Sequence, residues 1–330
     1  MIAQVSIQLP FILNVTDFEN VELTTFFEDG YEISFYPFLS HPDRKYGEAI
    51  IKINGKVTHY ADILHIVFMK EDFERRELRE FDPPESLIEK VANDFLLRLR
   101  YVTNNSIIKP ICDFSTTWKQ VHYFNDDWSK ITDNEADQII IRMTDIKSAK
   151  VSPITEEVWN DVNSLEPFSI TPSWNKLLLD SNAVLPEIGP AIILAFTSLE
   201  AFISNILDMA ARYKQIDSGL WDWFYNNAKF NKKPTIEDQF GFLCKYLLGE
   251  SIKDTPHLWT AFKKLQEARN TFAHRGVSKI DGVTVDLQLA RDLIVKAKEI
   301  IEFVRNILPE ELKWKVYNYD IAYEVDIPLK

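Results

Sequence analysis

The feature that most restricts this chain is a change of hydrophobic period partway along it. Before about residue 153 the apolar segments are short and rich in β-branched and aromatic residues: "AQVSIQL", "VELTTFF", "YEISFYPF", "EAIIKING", "ILHIVFMK" and "DQIIIRMTDI". Such segments suit strands. Glu28-Asp29-Gly30, Pro42-Asp43 and Asn54-Gly55 punctuate them as turns. One helix interrupts, "PPESLIEKVANDFLLRLRYVT". Pro84 and Glu85 stand at its start, and Leu87, Val91, Phe95, Leu96 and Leu99 recur at helical spacing. "SPITEEVWNDVNSL" then reads as a further helix, Pro167 and Pro172 break the chain, and the period stays helical to about 308. Helices are predicted near 173–181, 186–213, 217–229, 235–248, 255–275 and 284–307. The longest carries a continuous small-and-apolar stripe that includes Ala191, Ala195, Ser198, Phe202, Ile206 and Leu207. A single switch of period predicts an α+β chain: a β-rich α+β domain over 1–152, then an all-α bundle over 153–330. The tail "KWKVYNYDIAYEVDI" alternates like a strand, free to pair with the N-terminal sheet or with a partner chain.

Size and composition agree with two packed domains. The chain has 330 residues, of which 46% are hydrophobic, enough to bury sizeable cores. Its formal net charge is −13, and both halves are acidic. Neither half is therefore a basic nucleic-acid module, and an RNA partner would need a local positive patch. The two cysteines, Cys112 and Cys244, supply neither a disulfide scaffold nor a zinc spacing. The apolar run "IGPAIILAFTSL" has about 12 uncharged residues, short of the roughly 20 that span a bilayer. With no basic leader at the N-terminus, the expectation is a cytoplasmic protein that does not enter membranes.

The candidate chemistry lies in "EARNTFAHRG", residues 267–276, where a helix runs out onto a glycine. Asn270 and His274, four apart, share a helical face, and the long Arg269 side chain can reach around to them. A histidine moves protons near neutral pH. An arginine offers a planar fork to phosphate oxygens and stabilises charge developing there. An asparagine orients either one. Together they suit attack on a phosphodiester. Arg and His are also favoured in the last turn of any helix, where their charge opposes the macrodipole, so a purely structural cap explains the same residues.

The segment Arg269-Asn270-Thr271-Phe272-Ala273-His274 resembles the R-x-x-x-x-H motif of the HEPN superfamily, most closely its ApeA-like branch. The upstream helix "AIILAFTSLEAFISNIL" is similar to the small-apolar helix of that family, with a Leu-Glu pair ending at Glu200. The resemblance covers about 173–308 and none of 1–150. It implies a metal-independent endoribonuclease without cofactor, working as a homodimer whose two motif helices face each other. His274 would then be general base or acid for the ribose 2′-hydroxyl, leaving a 2′,3′-cyclic phosphate. Arg269 would hold the scissile phosphate, Asn270 would position one of them, and Glu200 would orient Arg269 or His274. The family role implied is a toxin or antiphage defence effector acting on tRNA or mRNA, held by an antitoxin or released by a phage-derived trigger. The N-terminal domain would sense or regulate. The alternative is a non-catalytic nucleotide-binding or dimerisation module.

Basic residues placed to meet single-stranded or looped RNA are Arg275, Lys279, Lys263 and Lys264, with Lys229, Lys232 and Lys233 further upstream. Trp221, Trp223, Phe224 and Tyr225 could stack bases, but such a run also suits a core or a dimer contact. His59 and His65 on one strand face, with Asp62 on the other, make a poor metal site. "KEDFERRELREFD" reads as a solvated segment of mixed charge. No P-loop, dinucleotide fingerprint or serine or cysteine nucleophile pattern is present.

Overall fold

The computed structural model describes residues 1–16, 24–39, 50–53, 55–70, 81–117, 119–131, 153–169, 171–225, 234–317, 319 and 323–326. The fold class is α+β, with the sheet in the N-terminal part. The chain divides into two compact units, Met1–Ser169 with Tyr317–Lys330, and Ile170–Val316.

The first unit is built on antiparallel strands β1 (Ile2–Thr16), β2 (Thr25–Glu28), β3 (Tyr31–Leu39), β4 (Ile50–Ile53), β5 (Lys56–Met69) and β6 (Lys119–Phe124). The main order is β2-β3-β5-β1-β6. Asp29 and Gly30 both take positive φ, 49° and 80°, which closes the two-residue turn between β2 and β3. One face of β1 carries Val5, Ile7, Leu9, Phe11 and Leu13 into the core, two residues apart as a strand requires. Helix α1 (Glu85–Thr103) covers that face with Leu87, Val91, Phe95 and Leu99. "KQVHYF", read as no particular element in the sequence, forms β6 at the sheet edge beside β1. "DQIIIRMTDI" and most of "KEDFERRELREFD" lie outside the described residues.

The domain boundary differs from the expected 152/153. Helix α2 (Glu156–Ser164) buries Val158, Trp159 and Val162 in the core under the sheet, so it belongs to the first unit. Arg98 of α1 fixes it there, donating from Nη1 to the Val162 carbonyl at 3.2 Å and from Nε to Asp94 at 2.9 Å. The C-terminal tail also returns to this unit. Tyr317 and Tyr319 pack on the same core. The Tyr319 hydroxyl donates to Asp161 at 2.9 Å. Strand β9 (Tyr323–Asp326) pairs antiparallel with β4, the first of the two pairings open to an alternating tail.

The second unit holds α3 (Ser173–Ala183), α4 (Ile188–Tyr213), α5 (Ser218–Tyr225), α6 (Ile236–Asp238), a π-helical turn (Gln239–Leu243), α7 (Cys244–Leu248), α8 (Pro256–Arg275) and α9 (Leu287–Asn306). A small hairpin of β7 (Lys279–Ile280) and β8 (Val283–Thr284) joins the last two helices. The predicted small-apolar stripe is the core of this unit: Ala191, Ala195, Leu199, Phe202 and Ile206 of α4 are all at most 1% exposed. By length and hydropathy α4 would also suit a membrane, but 56% of that stretch is buried within the unit, which accounts for its composition. Helix α8 turns Leu258, Phe262, Leu265 and Ala268 inward, and α9 answers with Leu293, Ala297, Ile300 and Val304.

Candidate functional site

The site is the C-terminal end of α8 where it lies against α4. Two local devices define that end. Gly276 takes φ 71° and its N–H bonds the Phe272 carbonyl at 2.8 Å, closing the helix. The chain then folds back along it. The Thr271 hydroxyl accepts from the Lys279 N–H at 2.8 Å, and Glu267 accepts from the Asp281 N–H at 2.9 Å. The last two turns of α8 are thereby clamped along one face. Gly189, in the first turn of α4, sets the approach of the helices. A Cβ at this position would stand 1.9 Å from the Phe272 ring, so only glycine admits the ring here.

Arg269 is the best-fixed polar group at this end. Its guanidinium lies over the buried Phe196 ring of α4, 5.6 Å from the centroid. Nη1 donates to Asn270 Oδ1 at 3.1 Å. Nε is buried and has no hydrogen-bond partner among the described residues. Nη2 makes no hydrogen bond to a described residue. Asn270 therefore orients the arginine rather than the histidine. His274 is exposed on the following turn, and no hydrogen bond joins it to Arg269, Asn270 or Glu200. Neither side chain is sealed in a dry interior.

Glu200 lies on α4 one turn beyond Phe196, hence on the same face. It makes no hydrogen bond or ion pair within 4 Å to Arg269 or His274. Partial burial pushes its carboxyl above the usual carboxylate range, and the positive charge of Arg269 opposes that shift. Glu200 also lines a cavity of about 320 Å³, together with Ser204, Tyr225, Pro234, Ile236 and Gln239. The sequence reading missed this cavity because its walls come from α4, α5 and the α6 region, far apart along the chain. The π-helical turn at Gln239 is the local irregularity that accompanies it.

The basic residues fare differently. Lys263 is tied to Glu237 at 2.5 Å and to Gln266 at 2.9 Å. Lys264 and Arg275 are exposed. The backbone of Lys279 is held by Thr271, which carries its side chain next to the end of α8. Lys229, Lys232 and Lys233 lie outside the described residues. In the aromatic run, Tyr225 is buried and stacks on Trp221 with centroids 5.1 Å apart, while Trp223 is 61% exposed.

The His59–His65 geometry is corrected by a bulge. β1 and β5 shift register between Gln8 and Leu13, so Ala61 and Leu64, three apart, both enter the core. His65 pairs with Ser6 on the opposite face, and Asp62 joins that face, accepting from Gln8 Nε2 at 3.2 Å. His59, paired with Val15, lies on the core side at the exposed end of the strand. Among the described residues no group of three or more His, Cys, Asp or Glu gathers as a metal site would require. The chain matches no family model, no curated protein and no solved structure.

Proposed function

We propose that the second unit is a HEPN-like endoribonuclease that cuts RNA by attack of a ribose 2′-hydroxyl on the adjacent phosphate. The observation that carries this reading is the state of Arg269. Its guanidinium is half-buried on an aromatic face and aimed by Asn270, it makes no ion pair within 4 Å to a described carboxylate, and it retains donors unused by the described residues at a clamped helix end. A guanidinium so placed binds an oxyanion with little reorganisation. His274 stands exposed on the next turn of the same helix, where a phosphodiester can reach it. In the proposed step the neutral imidazole takes the 2′-hydroxyl proton as the oxygen attacks phosphorus. The P–O bond to the 5′-oxygen breaks, and a protonated imidazole returns a proton to that leaving oxygen. Arg269 stabilises the charge on the non-bridging oxygens meanwhile. Arg275, Lys264 and Lys279 supply local positive charge against an acidic whole, and Lys263, engaged by Glu237, contributes less. In line with the resemblance, two copies would present two such helix ends to one RNA, with defence or toxicity as the role and the first unit as its regulator.

A nucleotide-binding module without catalysis is the second reading. It is favoured by one observation, that no described side chain hydrogen-bonds His274 to fix its tautomer. Wild type, Arg269→Ala and His274→Ala, incubated with a mixed tRNA pool in EDTA, separate the two. A nuclease yields new 2′,3′-cyclic ends with wild type alone. A binding module yields none with any of them, while the variants lose nucleotide affinity.

A further inference from the structure

The cavity beside the motif has the chemistry of a base-binding site. Its volume, about 320 Å³, falls at the lower end of the range for small-molecule sites, roughly 300–1,000 Å³. Two of its polar groups are already engaged. The Tyr225 hydroxyl donates to Gln239 Oε1 at 2.9 Å, and Gln239 Nε2 donates to the Pro234 carbonyl at 3.1 Å. These bonds stiffen the wall and leave few donors for a carbonyl-rich ligand. Glu200 is the exception, a carboxylate that only accepts and receives no hydrogen bond from a described residue. Pro234, Ile236 and the Tyr225 ring supply apolar surface for a flat heterocycle.

We propose that this cavity seats a guanine base of the RNA, with its N1–H and 2-amino group paired to the two oxygens of Glu200. The inference rests on the ribonuclease reading for its biological use but not for its chemistry. Guanine alone among the four bases presents two adjacent N–H donors on its Watson–Crick edge. Adenine and cytosine place a ring-nitrogen acceptor beside their amino group, which repels a carboxylate. Uracil flanks one N–H with two carbonyls. A partly buried carboxylate without a donor is unfavourable, and a ligand that brings two donors relieves it. The cavity is also correctly placed. Phe196, which carries the Arg269 guanidinium, and Glu200 are one turn apart on α4, roughly 5–6 Å between Cβ atoms. A base held at Glu200 therefore has its phosphate in the neighbourhood of Arg269.

The test is calorimetric binding of the four nucleoside 3′-monophosphates and of inosine 3′-monophosphate to wild type, Glu200→Gln and His274→Ala. Wild type is expected to bind the guanosine nucleotide about tenfold or more tightly than the other standard three, within the range of a bidentate base contact. Inosine, lacking the 2-amino group, should bind several-fold more weakly than guanosine, a comparison that needs no variant. Glu200→Gln should erase the preference, whereas His274→Ala should keep it even as cleavage stops. Equal affinity for all nucleotides, no measurable guanosine binding in the millimolar range, or a preference that survives Glu200→Gln overturns the assignment. Failure of wild type to cut RNA would instead count against the nuclease reading, and the binding arms would still decide the base site.

Discussion

Two arginines on aromatic rings separate the logic of the two units. In the first, Arg98 lies over Phe35 and Phe95 at 5.6 and 5.7 Å, 2% exposed. It is neutralised by Asp94 and bonds two backbone carbonyls of the α2 region. In the second, Arg269 lies over Phe196 at the same 5.6 Å, yet among the described residues its one hydrogen bond goes to a neutral amide. The first side chain has its charge neutralised and two backbone carbonyls bonded, with Nη2 buried and without a partner among the described residues; the second, whose Nε is likewise buried without one, has no ion pair with a described residue. The difference between them is charge compensation: Asp94 balances Arg98 at 2.9 Å, and no described carboxylate stands within ion-pair distance of Arg269. The histidines repeat the contrast. His65 is buried with its Nδ1 bonded to Gln4 and Ser6, both at 2.9 Å, and His274 is exposed at a helix end.

The largest stability effect is expected where the fold is closed. Asp94→Ala strands the buried Arg98 charge and removes the acceptor that also receives the Phe168 N–H at 3.0 Å. Loss of about 3–5 kcal/mol is expected in urea unfolding. A loss under about 1 kcal/mol would mean that Arg98 is as open as Arg269, and the comparison would fail.

The next effect is set by pH. Burial, with a smaller contribution from the nearby His122, lowers the His65 imidazole to about 4. Its ordinary value is near 6.5, so between these limits the unfolded chain binds the proton and the folded one does not. Stability should be full above about 6.5, fall as pH drops, and be lower by on the order of 3 kcal/mol once pH passes below about 4. Urea midpoints at several pH values measure this, and His65→Gln should flatten the profile over that window. Glu200 shows the opposite sense. Its carboxyl is raised by burial, so its ionisation costs stability as pH rises, and Glu200→Gln should leave the unit slightly more stable at neutral pH.

Smaller effects are expected at the open end. Gly189→Ala drives a methyl into the Phe272 ring, at a net cost of about 1–2 kcal/mol read by thermal or urea unfolding. It should also displace the end of α8 and reduce cleavage. His274→Ala, an exposed change, should alter stability by no more than about 0.5 kcal/mol. A loss nearer 1 kcal/mol would point to a helix-end interaction instead.

How much of this was legible in the sequence follows from the range of each interaction. The helices of the second unit could be read because their signals are local: the stripe through α4 and the stop of α8 at Gly276. The motif residues could be placed on one helix for the same reason, but not paired: the shared face of Asn270 and His274 suggested that couple, whereas the Asn270 amide accepts from Arg269 and no hydrogen bond joins it to His274. What escaped depends on distant chain. The amphipathic period of 156–164 shows a buried face but not that its core is the sheet. The register shift between β1 and β5 breaks the alternation of β5 between Ala61 and Leu64 and so inverts the face of His65 relative to His59, which strict alternation cannot foresee. Glu237 capturing Lys263 and the cavity behind Glu200 join residues dozens of positions apart. The β7–β8 hairpin is too short for any period, although Asp281-Gly282, with φ of 49° and 79°, is its turn signal in hindsight.

The most direct test of the central claim, that Arg269 and His274 act together on an RNA phosphate, is single-turnover cleavage of a tRNA pool in EDTA. Wild type, Arg269→Ala and His274→Ala, each shown folded, would be compared by end chemistry. Cleavage giving 2′,3′-cyclic phosphates that falls by roughly 100-fold or more in each variant is the expected result, within the range for loss of a general acid–base group or a charge-stabilising donor. Equal cutting by all three proteins, or none by wild type, would contradict it.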